Sequence, residues 1–99
     1  MGARHDSPHA ALANALATIT NGKILRSRET SWASASFTGI RHRFVIDLDG
    51  DARADVVTGI GEREFDLPGH IVADILLVER EQQDRACRLT TDALTVEDR

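Results

Sequence analysis

The run over residues 40–48, Ile-Arg-His-Arg-Phe-Val-Ile-Asp-Leu, constrains the fold more than any other stretch. Its even positions carry Ile40, His42, Phe44, Ile46 and Leu48, and its odd positions Arg41, Arg43, Val45 and Asp47. Successive side chains on a strand point to opposite faces. A period of two therefore marks a strand with one face in a core and the other outside it.

Thr38-Gly39, just before this run, predicts a two-residue hairpin loop. That loop sets Phe37 opposite Ile40, Ala35 opposite His42, Ala33 opposite Phe44 and Ser31 opposite Ile46. Directly opposed residues share a sheet face. Phe37, Ile40, Phe44 and Ile46 then form an inner face, and Trp32 with Val45 lies on the outer one. A second hairpin is expected to turn at residues 49–53. An odd loop sets Leu48 against Ala54, Ile46 against Val56 and Phe44 against Thr58, which keeps the core face apolar. An even loop would bring Ile46 against Asp55 and put the wrong face inward. In the odd register Val57 joins Trp32 and Val45 outside.

Two helices frame this sheet. Asp6 or Ser7 can cap the first, Pro8 suits its first turn, and Leu12, Leu16 and Ile19 recur on one stripe. Asn21-Gly22 ends it, giving a helix over 8–21. The second is predicted over 68–84, where Ile71, Val72, Ile75, Leu76 and Glu79 follow helical spacing. Residues 23–29 read either as a separate strand or as the first half of a long, kinked edge strand. A last strand spans 86–96, its place in the sheet open, with Thr90-Thr91-Asp92 as a bulge. The order α-β-β-β-α-β gives an α+β two-layer sandwich, an antiparallel sheet with both helices on one face. The 99 residues suit one domain over 1–99, with residues 1–6 frayed. The expected core is Leu12, Leu16, Phe37, Ile40, Phe44, Ile46, Val56, Ile75 and Leu76.

Composition excludes several classes. A net charge of −4 argues against a nucleic-acid binder, which usually presents a basic domain. The helix-strand-strand-strand-helix order resembles that of double-stranded-RNA-binding domains, but no lysine stands at the start of the second predicted helix. No run approaches the ~20 apolar residues of a membrane span. Cys87, the only cysteine, allows no intrachain disulfide and no cysteine zinc cluster, so a reducing, cytoplasmic setting is expected. Cys87 itself reads as a small buried hydrophobe.

The sharpest local pattern places Asp47, Asp49, Asp51 and Asp55 at positions 1, 3, 5 and 9 of a loop, where carboxylates can converge on a hard cation. Residues 47–59 resemble the calcium loop of FG-GAP propeller blades, and that resemblance implies calcium ligation by these four residues. Ala52 stands where such loops carry glycine, and Thr58 stands where a glutamate would complete the ligand set. Neither a metal nor any other cofactor is therefore expected, and the acidic loop remains the alternative.

Two functional readings follow. The first is a non-enzymatic protein-interaction domain that self-associates as a homodimer through its outer sheet face. Trp32, Val45 and Val57 would be its apolar centre and Arg41 and Arg43 its rim. The second is a small enzyme or ligand-binding domain with a pocket near His42, Glu64 and Asp66.

Overall fold

The computed structural model describes residues 7–49, 60, 65, 67, 69–83 and 86–97. Helix α1 spans Pro8–Thr20 and is followed by strands β1 (Lys23–Ala33), β2 (Thr38–Asp49), β3 (His70–Gln83) and β4 (Ala86–Glu97). The four strands form one antiparallel sheet in the order β1-β2-β4-β3. The architecture is α+β and mostly sheet.

The caps of α1 follow from its sequence. The Ser7 side chain accepts a hydrogen bond from the Ala10 amide at 3.0 Å, and Pro8 occupies the first turn, where no backbone donor is needed. At the other end Asn21 takes the left-handed conformation (φ 54, ψ 37). Its amide and that of Gly22 return to the carbonyls of Thr18 and Ala17. Leu12 and Leu16, one turn apart, are both fully buried against the sheet.

The expected turn at Thr38-Gly39 is not formed. The β1–β2 hairpin turns at residues 34–37, closed by a 2.7 Å bond from the Ser34 amide to the Phe37 carbonyl. The Ser34 hydroxyl also accepts from the Phe37 amide at 3.1 Å. A serine side chain that mimics a backbone acceptor closes this turn, and Gly39 is a strand residue. Phe44 consequently lies opposite Ser27 instead of Ala33, a slip of six residues along β1. An even slip leaves faces unchanged, so His42, Phe44, Ile46 and Leu48 still point inward, and all four are buried. Phe37, expected in the core, sits in the turn and is 57% exposed, while Ile40 is only partly buried.

Residues 23–29 are the first half of a continuous edge strand, bulged at Leu25. β4 lies in the middle of the sheet between β2 and β3 and pairs with β2 without interruption from Ala86 to Val96, so its expected bulge at 90–92 is absent. Both edges of β2 are thus taken, by β1 and β4. Residues 51–58, Val56 and Val57 among them, lie outside the described residues.

The second predicted helix is strand β3. Its register against β4 shifts between Val72 and Asp74 and again between Leu77 and Glu79. Each bulge adds one residue to a period of two. The residues sharing β4's inner face therefore run Val72, Ile75, Leu77, Arg80, a spacing of three, two and three that imitates a helix stripe. Ile75 is buried, as the helix reading also required, but Leu76 points outward and is 50% exposed.

The core lies between α1 and the inner sheet face. It comprises Leu12, Leu16, Phe44, Ile46, Leu48, Ile75, Cys87, Leu89 and Ala93, with Ile60 and Leu67 completing the layer.

Candidate functional site

Three aromatic rings stack beneath α1. His9, from the first helical turn, lies on His42 and Phe44 with ring centroids 5.1 and 4.8 Å apart. His9 Nδ1 and His42 Nδ1 are 2.9 Å apart, and His42 Nε2 is 2.9 Å from Thr95 Oγ1. The Thr95 hydroxyl donates to the Ile40 carbonyl. Those contacts select one proton arrangement: His42 Nε2–H donates to Thr95, and His42 Nδ1 accepts from His9 Nδ1–H. His42 is 3% exposed, and its pKa is lowered from 6.5 to about 4. Burial is the largest cause, followed by repulsion from the cationic forms of His9 and His70. This is a neutral, sealed core histidine rather than an open acid or base. Glu64 and Asp66, its expected companions, lie outside the described residues.

Of the acidic loop, Asp47 alone has a described side chain. It faces outward from β2, opposite Lys23 on one side and Arg88 on the other. Among the described residues no group of three histidine, cysteine or carboxylate side chains could hold a metal.

The outer sheet face is the other candidate, and the register fixes its layout. Trp32 is opposite Gly39, which is opposite Val96, which is opposite Ile71. Thr30, Arg41, Leu94 and Asp74 make the next row, and Arg28, Arg43, Asp92 and Leu76 the one after. Arg26, Val45, Thr90 and Glu79 follow, and then Lys23, Asp47, Arg88 and Glu81. Trp32 and Val45 therefore share the outer face, as sequence parity required, but stand three rows apart instead of side by side.

Gly39 is needed because the backbone leaves no room for a side chain: a β-carbon there would collide with the Thr95 carbonyl oxygen of β4 and come within 2.7 Å of the Trp32 indole nitrogen. Arg43 holds Asp92 with two bonds, Nε to Oδ1 at 2.7 Å and Nη2 to Oδ2 at 2.8 Å. The Arg43 hydrogen bonds keep the Asp92 carboxyl below the usual range. Arg28, Thr30, Arg41, Asp74, Leu76 and Leu94 line a hollow of about 490 Å³ on this face.

Sequence reasoning missed the apolar share contributed by β3. Ile71, Leu76 and Val78 are 53%, 50% and 46% exposed. Leu94 and Val96 beside them are half-buried, as is Trp32. The usable signal was the β-branched content of 71–78, which favours strand over helix.

The chain matches no family model, no curated protein and no solved structure. Among the described residues no helix is long and apolar enough to cross a membrane.

Proposed function

We propose that the chain is a protein-interaction module that self-associates through the outer face of its sheet. The observation that carries this reading is the set of six apolar side chains, Trp32, Ile71, Leu76, Val78, Leu94 and Val96, on a face that no described element covers. α1 packs on the opposite side. Contiguous apolar surface of this kind favours association, since each side chain moved out of water contributes roughly 1.5–3 kcal/mol when fully buried.

The sheet edges favour this reading over strand addition. β1 carries Arg26, Arg28 and Glu29 and a bulge at Leu25. β3 carries two bulges together with Asp74, Glu79 and Glu81. Charges and bulges are what blunt an edge against a further strand.

Trp32, the only tryptophan, reports on this directly. Acrylamide quenching of its fluorescence should fall as the protein is concentrated from low to high micromolar. Quenching independent of concentration would contradict the reading.

A further inference from the structure

We infer that the partner on this face is a second copy related by a two-fold axis running parallel to the strands, between β2 and β4. This rests on the proposed self-association and specifies its geometry. Charge selects this axis. Outward from β1 point Lys23, Arg26 and Arg28, and outward from β3 point Asp74, Glu79 and Glu81. One edge column of the face is basic and the other is acidic.

Two sheets stacked face to face with strands aligned can be related by a two-fold axis along the strands or across them. An axis across the strands lays β1 on β1 of the other copy and faces arginine with arginine. An axis along the strands lays β1 on β3 and β2 on β4, row upon row. Lys23 then meets Glu81 of the second copy, Arg26 meets Glu79, Asp47 meets Arg88 and Arg43 meets Asp92. Trp32 meets Ile71, and Gly39 meets Val96. No row opposes like charges. Opposed like charges cost several kcal/mol at an interface, so the charge pattern selects the axis along the strands. The footprint suffices: four strands ~4.8 Å apart and eleven residues long at ~3.3 Å each give roughly 700 Å² per copy, or roughly 1,400 Å² for the pair, within the range of stable interfaces.

Arg26 and Glu79 provide the test, because neither lies directly opposite a charge on its neighbouring strand: Arg26 pairs with Val45 and Glu79 with Thr90, and Glu79 acts on Arg43 of its own chain only across the intervening strand. Arg26→Glu opposes carboxylates in both symmetric contacts, and Glu79→Lys opposes cations. Each variant alone should self-associate at least tenfold more weakly than the wild type in sedimentation equilibrium, with its circular dichroism unchanged. Mixed one to one, the two variants should form a heterodimer of wild-type strength, since both contacts then pair opposite charges. A wild-type monomer would overturn the self-association and this geometry together. A dimer that Leu76→Lys leaves intact would place association elsewhere and overturn both. A dimer that Leu76→Lys dissociates, but whose charge variants show no preference for each other, would overturn the axis alone.

Discussion

Acid should destabilise this fold through His42 in a predictable window. The unfolded chain binds a proton there near pH 6.5, whereas the folded one resists it down to about pH 4. Between those values the unfolded state holds more protons, so stability rises with pH. The contribution is complete above pH 6.5, shrinks as pH falls, and is gone below about 4. Each pH unit across the window corresponds to about 1.4 kcal/mol, so the full effect is on the order of 3 kcal/mol. That is a large share of the roughly 5–15 kcal/mol that holds a domain folded. Protonating His42 Nδ1 also replaces the acceptor that His9 requires with a second donor. Urea denaturation at closely spaced pH values measures the slope, and His42→Gln removes the titrating group while keeping an amide that can reach Thr95. The wild type should lose about 3 kcal/mol more than His42→Gln between pH 6.5 and 4. Equal losses in the two proteins, or a histidine titration placing His42 near 6.5, would refute the reasoning.

Phe44 is fully buried and stacks with both His9 and His42, and Phe44→Ala should cost about 3–5 kcal/mol by denaturant titration. The Thr91 hydroxyl is buried and has no hydrogen-bond partner among the described residues. Thr91→Val keeps the β-branched shape and removes that group, so it should raise stability by about 1 kcal/mol, read as a Tm increase of roughly 4–8 °C. Calcium at sub-millimolar concentration should leave the amides of Asp47, Asp49, Asp51 and Asp55 unmoved, because Asp47 lies between two cations. A saturable shift abolished by Asp49→Ala would restore the metal reading.

The alternation over 40–48 was legible because β2 is unbulged over that run and has a buried face, so each residue's side follows from its parity. The faces survived even where the hairpin partner was misplaced, because the slip between Ala33 and Ser27 was an even one. β3 was illegible for the opposite reason. Its bulges after Val72 and Leu77 convert a strand period into a helical one, and periodicity cannot distinguish the two. Gly39 misled in another way. A glycine beside a threonine suggests a turn, but here it answers to the close approach of the Thr95 carbonyl and the Trp32 indole, contacts visible only once the strands are paired. His42 could be placed on the inner face, but its bond to Thr95 joins residues far apart in the chain and left no local trace. The candidate surface was half legible. Trp32, Arg41 and Arg43 followed from parity, whereas Ile71, Leu76 and Val78 were hidden inside the presumed helix.

Sedimentation equilibrium of the wild type and of Leu76→Lys tests the self-association most directly. Leu76 is half-exposed on the outer face and outside the core, so the substitution should leave the monomer folded. The wild type should sediment as a dimer in the micromolar range and Leu76→Lys as a folded monomer. A wild type that remains monomeric, or a Leu76→Lys variant as dimeric as its parent, would contradict the account.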